Sequence, residues 1–335
     1  VTGAGAAEPG ARAPAAAKVR AVEPRPAPPG VQAYRLNAPM GGTIRFAHWR
    51  PPQGAAAGVV LVLPGFGEFI EKYHETVGEL LQRGWSVYVL DWYGQGLSTR
   101  ALANRQKVHV ADFRRHLSDL HKLVEAALPA HAQATRLVLA HSMGAHLALR
   151  YMFEHPRSFD LAVLASPMVD LSYGRMPRWL ARLVAEAACA LGFGRAYSFG
   201  ERDYDPGRVR FQGNKMTHDR PRFFDQHAWI ARRPKLAVGG ATFAWVRAAQ
   251  RSIRATERRG FARGIHVPVL AVAAEQESVV SVAATQRLVR AMPRAAYVGL
   301  ADARHELLME TDARRALFWQ FVDRFLADHG ARAAA

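Results

Sequence analysis

Short runs that are apolar on both faces recur along this chain, each followed by a turn and then a longer periodic segment. Val59-Val60-Leu61-Val62-Leu63 runs into Pro64-Gly65-Phe66-Gly67. Ser86-Val87-Tyr88-Val89-Leu90 ends at Asp91 and the turn Gly94-Gln95-Gly96. Leu137-Val138-Leu139, Leu161-Ala162-Val163-Leu164, Val269-Leu270-Ala271-Val272 and Tyr297-Val298-Gly299-Leu300 continue the series. A strand with no polar alternation has no face to give to water, so it belongs in a sheet covered on both sides. The segments between have helical spacing: residues 75–83 (stopped by Gly84), 109–128 (closed by Pro129), 145–154, 283–291 and 313–328. The alternation predicts an α/β fold, with a mostly parallel central sheet and helices on both faces.

The rhythm is absent between residues 167 and 250. Trp179, Leu180, Leu183, Val184, Ala187 and Leu191 stand there at helical spacing. Turn-rich stretches carrying Phe211, Phe223, Phe224, Trp229, Phe243 and Trp245 follow. Because the α/β pattern then resumes, the segment reads as a helical cap inserted into a sheet domain. The expected organisation is an Ala/Pro-rich disordered leader (1–30), a first core part (31–166), the cap (167–250) and a second core part (251–330).

Composition excludes several function classes. A chain of 335 residues can bury a sizeable core without staples. Its single cysteine, Cys189, rules out an intramolecular disulfide framework and multi-cysteine metal sites, and reads as a small buried hydrophobe. Lys and Arg total 45 against 28 Asp and Glu, a net charge of +17, which favours anionic partners. No basic repeat with interleaved aromatics points to nucleic acid. Peripheral contact with an anionic membrane surface, or a phosphate-bearing substrate, is the expectation instead. No apolar run approaches the length of a membrane span, and the N-terminal region lacks the apolar block of a signal peptide. The expected location is cytoplasmic, with contact at the inner membrane face. The oligomeric state is not legible.

The chemistry concentrates at Leu137-Val138-Leu139-Ala140-His141-Ser142-Met143-Gly144-Ala145. Strand, tight turn and helix meet at Ser142, the pattern of a nucleophile elbow with Ala140 where glycine is usual. A serine nucleophile needs a base and an acid to orient that base, in the chain order serine, acid, histidine on such a fold. Of the 14 histidines, His305 is the one just after the last strand. His141 reads as a packing or capping residue, and His146 and His155 as structural. The acid should follow the strand at 269–273. Glu277 is favoured there, with Glu275 beside it and Asp170 after an earlier strand as alternatives. Two backbone donors for an oxyanion would be the N–H groups of Met143 and Phe66.

These motifs resemble the α/β-hydrolase family of bacterial lysophospholipases and monoacylglycerol lipases. Pro64-Gly65-Phe66-Gly67-Glu68 with Tyr73 is similar to the family's oxyanion segment. The run Asp91-Trp92-Tyr93-Gly94-Gln95-Gly96-Leu97-Ser98 resembles its Asp-x-Arg-Gly-x-Gly-x-Ser turn, and His141-Ser142-Met143-Gly144 its elbow. Asn214-Lys215-Met216-Thr217-His218-Asp219 and Gly239-Gly240-Ala241-Thr242-Phe243-Ala244-Trp245 resemble cap segments of the lysophospholipase branch. Pro64 stands for the usual His, Tyr93 for Arg, Ala140 for Gly and Glu277 for the commoner Asp; none of these removes a catalytic group. The resemblance implies a serine ester hydrolase acting on a small single-chain lipid ester, with no metal or organic cofactor. An S33-like aminopeptidase or a short-chain esterase on the same fold are alternatives, as is a non-catalytic lipid-binding protein. An aminopeptidase needs an anchor for a free amine, and the basic cap offers none by eye. A haloalkane dehalogenase would need Asp in place of Ser142.

Overall fold

The computed structural model describes residues 23–52, 56–131, 133–174 and 176–331. Most of the expected leader, residues 1–22, lies outside the described residues. Residues 23–30 correct that expectation, because they pack on the fold. Pro24 is buried, the Arg25 N–H donates to Asp225 at 2.6 Å, and the Pro28 carbonyl accepts from the Trp49 indole at 3.2 Å.

Among the described residues eight strands form one sheet: β1 (Gln32–Asn37), β2 (Thr43–Trp49), β3 (Gly58–Leu63), β4 (Trp85–Asp91), β5 (Thr135–His141), β6 (Leu161–Ala165), β7 (Val269–Ala274) and β8 (Ala295–Leu300). Their spatial order is β1-β2-β4-β3-β5-β6-β7-β8. From β4 to β8 neighbouring strands run parallel, with Leu63 opposite Ala140 and Ala140 opposite Leu164. β1 and β2 are antiparallel additions at one edge. Sequence reading passed over both, since exposed β1 lacks the apolar run by which a central strand announces itself.

Among the described residues eight α-helices accompany the sheet: α1 (His74–Gln82), α2 (Arg114–Ala127), α3 (Met143–Glu154), α4 (Arg178–Ala190), α5 (Arg220–Arg232), α6 (Phe243–Thr256), α7 (Val282–Ala291) and α8 (Asp312–Asp328). Two cores result. One gathers Phe113, Leu120, Leu147, Tyr151 and their neighbours on one sheet face, and the other Trp49, Trp85, Leu80, Phe318 and theirs on the opposite face. α2 begins five residues later than its periodicity suggests. Val108 is taken up in a parallel bridge with Ala241, and Asp112 then accepts the Arg114 N–H at 2.8 Å.

Between β6 and β7 lie α4, α5 and α6, with short 3₁₀ turns. The segments read as turn-rich are largely helical: Phe223, Phe224 and Trp229 sit on α5, and Phe243 and Trp245 on α6. Both helices carry side-chain caps, Asp219 to the Arg222 N–H and Thr242 to the Trp245 N–H. α6 also runs to Thr256, so a boundary at 250 cuts through it. On α4 only part of the expected apolar stripe faces the protein, with Val184 lining a cavity. The small residues Ala181 and Ala185 are buried, α4 packs against α6, and Trp179 and Leu183 are 68% and 58% exposed.

Candidate active site

β5 ends at His141, and Ser142 takes up the turn into α3 with φ 49° and ψ −113°. Positive φ strains a residue with a side chain, and such strain persists only where the surroundings enforce it. Here the Ser142 N–H donates to the Ala165 carbonyl, while the Ser142 carbonyl accepts from the N–H groups of His146 and Met168. Gly144 makes the turn sterically open, since a Cβ at that position would collide with the carbonyl oxygens of Leu63 and Pro64.

Two loops at the same edge of the sheet bring partners to this serine. The loop after β8 carries His305, which is buried, with Nε2 3.0 Å from Ser142 Oγ. The loop after β7 carries Glu277, whose Oε2 lies 2.7 Å from His305 Nδ1. The other carboxylate oxygen of Glu277 accepts from the N–H groups of Ser278, Val279 and Val280 at 2.8, 2.7 and 3.3 Å. Burial alone would raise the Glu277 pKa, but the hydrogen bond and charge of His305, with these N–H groups, hold it below its usual value. Glu275 is exposed and lies against Gly299, and Asp170 pairs with Arg178 at 3.3 Å; neither hydrogen-bonds His305. The insertion braces the loop that carries His305: the Glu306 N–H donates to the Met216 carbonyl at 2.8 Å, and His218 pairs with buried Glu310 at 2.8 Å.

The turn after β3 faces Ser142 from the other side. Gln95 clamps it twice, accepting the Gly67 N–H at 2.8 Å and donating to the Gly65 carbonyl at 3.1 Å. Gly65 N–H donates to Glu68, so among the described residues Phe66 keeps an N–H without a protein acceptor. The Met143 N–H, first in α3, has no intrahelical acceptor either. The Gln95 N–H donates to the Trp92 carbonyl at 2.9 Å, and the neighbouring Asp91 accepts from Arg45, the Leu97 N–H and the Ile70 N–H. Gly96 completes this turn at φ +50°, where a Cβ would strike the Asp91 carboxylate. The departures Pro64 and Tyr93 sit in support positions. The Pro64 carbonyl accepts from Trp92 at 2.7 Å, and the Arg115 guanidinium lies 3.5 Å over the Tyr93 ring.

A cavity of about 430 Å³ opens on Ser142, lined by Phe66, Leu171, Val184, Phe199, Trp245 and other mainly apolar residues. Among the described residues no Arg or Lys lines it. Among the described residues its one carboxylate is Glu201, raised above its usual value by burial against the opposing pull of Arg202. Sequence reading found no anionic group of this kind, because a single Glu in an irregular stretch carries no pattern.

His141 is a second finding that the sequence did not signal. It is buried, with Nδ1 3.2 Å from Glu68 and Nε2 3.3 Å from the His305 carbonyl. His146 and His155 are structural as expected. His146 is within 2.6 Å of Ser252, and His155 stacks on Tyr151. Among the described residues no group of His, Cys, Asp and Glu could hold a metal ion, and no helix is long and apolar enough to cross a membrane.

Residues 54–312 match the family model described as serine aminopeptidase, S33. Lysophospholipase L2 of Escherichia coli (strain K12) is 31% identical over 298 residues, 85% of this chain and 84% of that protein. A probable lysophospholipase L2 of Haemophilus influenzae is 28% identical over 285 residues, 84% of this chain and 88% of that protein. Among solved structures, a soluble variant of monoglyceride lipase from Saccharomyces cerevisiae in complex with a substrate analogue superposes with a TM-score of 0.73. It is 17% identical and covers 92% of this chain and 98% of that one. A thermostable carboxyl esterase from Bacillus coagulans gives 0.69 at 17% identity, over 91% and 99% of the two chains. The structural likenesses carry the fold, an α/β-hydrolase, and the sequence matches carry the lineage: the chain belongs to the serine aminopeptidase S33 family.

Proposed function

We propose that this protein hydrolyses the acyl ester of a single-chain lipid, a lysophospholipid or a monoacylglycerol, through an acyl-enzyme. The observation that carries the reading is the hydrogen-bonded series Ser142–His305–Glu277 at the floor of a mainly apolar cavity. In this mechanism His305 Nε2 takes the Ser142 proton as Oγ attacks the acyl carbonyl, then delivers it to the leaving alcohol. Glu277 holds the imidazole in the tautomer that leaves Nε2 free to accept and stabilises the imidazolium that forms. The N–H groups of Phe66 and Met143 receive the oxyanion. Water then attacks the acyl-enzyme and releases the fatty acid. The names of the full-length relatives and the apolar lining both support a lipid acyl chain as the group bound.

The same reading treats α4 to α6 as a cap that meets lipid at an anionic surface. Exposed Trp179 and Leu183 stand on α4 beside Arg178 and Arg182. Phe199, 72% exposed, also lines the cavity. An outward stripe of large apolar residues flanked by cations suits a membrane interface. Glu201 supports one second reading: a carboxylate in the cavity could hold the free amine of an aminoacyl substrate.

One substrate panel separates the two. Lysophospholipids and monoacylglycerols should be cleaved with kcat/KM about tenfold or more above that for short p-nitrophenyl esters, the margin that a few buried methylenes supply. Anionic vesicles should increase the rate at low salt. Aminoacyl amides cleaved faster than every lipid ester would overturn the lipid reading in favour of the amine-anchoring one.

A further inference from the structure

Behind the elbow lies a cluster of buried charges that the proposed chemistry does not use. Lys72, in the 3₁₀ turn before α1, is 3% exposed. Its ammonium donates to Glu68 at 2.8 Å and to Glu306 at 2.6 Å. Glu68 belongs to the turn that carries Phe66, and Glu306 follows His305 directly. Glu68 also accepts from the Gly65 N–H and from the Tyr73 hydroxyl. Both ring nitrogens of His141 face acceptors, the Glu68 carboxylate and the His305 carbonyl, and only the doubly protonated ring donates to both.

The charges then balance. Two carboxylates, Glu68 and Glu306, face one ammonium and one imidazolium. Burial would lower the His141 pKa, but Glu68 overcomes it and raises it above the usual value. The same holds for Lys72, where Glu306 and Glu68 outweigh burial. The His141 and His305 rings lie 5.0 Å apart, so a net charge on the cluster acts on His305 at short range. Among the described residues, other charged or titratable groups facing the two loops include Glu277 on His305, Arg304 and Glu310 beside it with His218 and Arg314 on Glu310, Tyr73 on Glu68, and Asp225 and His227 of α5 near Lys72.

We propose that Lys72, Glu68, Glu306 and His141 form a charge-balanced positioning cluster for the catalytic base. Lys72 ties the oxyanion turn to the base-bearing loop and cancels the carboxylate charge that would otherwise keep a proton on His305. The inference rests on the reading of Ser142 as nucleophile and His305 as base. These residues touch no substrate; they act through His305 and the turn at Phe66.

The test follows the pH dependence of two rates, fluorophosphonate labelling of Ser142 and kcat/KM on a soluble short-chain ester. Lys72→Met leaves the cluster one charge negative, so the acid limb of both profiles should move up by about 0.5–1 pH unit. Glu306→Gln leaves it one charge positive and should move the limb down by a similar amount. Lys72→Met with Glu306→Gln restores neutrality and should return the limb close to that of the unmodified protein, as should Lys72→Arg alone. Opposite shifts that cancel in the double variant are not produced by loosened packing, which lowers the rates without moving the limb. If Lys72→Met does not fold, Glu306→Gln and the double variant still give the sign, since the Glu306 side chain is 12% exposed. Limbs that stay fixed, or shift the same way in both single variants, overturn the cluster while labelled Ser142 stands. A Ser142 that takes up no fluorophosphonate in the unmodified protein overturns the nucleophile reading, and the cluster proposal with it.

Discussion

At the scale of single residues, the arrangement assigns different work to two nearby glutamates. Glu277 is held by three backbone N–H groups through one oxygen and meets His305 through the other, so its position leaves no freedom. Glu275 is exposed. Glu277→Gln should therefore lower kcat by about 10²–10⁴-fold, because an amide cannot hold the imidazole in its working tautomer. Glu275→Gln should change kcat less than about twofold, as surface substitutions away from a site do. Steady-state kinetics on one soluble ester decides it, and the reverse ranking would move the acid role to Glu275. Ser142, His305 and Glu277 were legible in the sequence because a strand–turn–helix junction and the order of the loops locate them. Lys72, Glu68 and Glu201 were not. A charged residue is normally solvated, and nothing in its neighbours along the chain reveals that distant segments close over it.

At the scale of elements, the strands of the parallel sheet announced themselves by continuous apolar runs, and α1, α3, α7 and α8 by periodicity and stops. The insertion was harder. On α4 the sequence period marks an apolar stripe, but period alone does not say whether a stripe faces protein or lipid. The structure buries the alanines and leaves Trp179 and Leu183 outside. Helix α2 holds a strained group of its own. Asp119 is fully buried, both its oxygens lack a hydrogen-bond donor, and Arg115 approaches only to 3.8 Å. Burial raises its pKa to about 6, against a partial opposing effect of Arg115. A carboxyl with a raised folded-state value contributes its full stability below its unfolded value, near 3.8, and loses that contribution as pH rises through about 6. Asp119→Asn keeps the shape and removes the charge. It should stabilise the protein by about 2 kcal/mol at pH 8 and by little at pH 4. Denaturant unfolding at the two pH values checks this, and an equal effect at both would show that the carboxyl is not strained by its charge.

At the scale of the whole molecule, one sheet edge gathers the site. The turn after β3, the turn at Ser142 after β5, the Glu277 loop after β7 and the His305 loop after β8 all converge on it, as the ends of parallel strands do in α/β sheets. The insertion after β6 lies over this edge, supplying the cavity wall and bracing the base loop through Met216 and His218. Sequence reading recovered this plan because parallel connectivity leaves few ways to arrange apolar strands and helices. It missed the antiparallel pair β1–β2, of which β1 is exposed and β2, though largely buried, has no continuous apolar run, and the ordered stretch 23–30, whose Pro-rich composition resembles a linker. The +17 net charge gives the molecule an anion-seeking field, and among the described residues no Arg or Lys lines the cavity, so under the proposed function attraction to an anionic surface and binding of an acyl chain would be separate events. The most direct measurement of the central claim is fatty-acid release from a lysophospholipid and a monoacylglycerol by the unmodified protein and by Ser142→Ala, with folding of the variant verified by circular dichroism. The account predicts cleavage of at least one of these lipids and a loss of about 10⁴-fold or more in the folded variant; a variant that keeps half of the activity would contradict it.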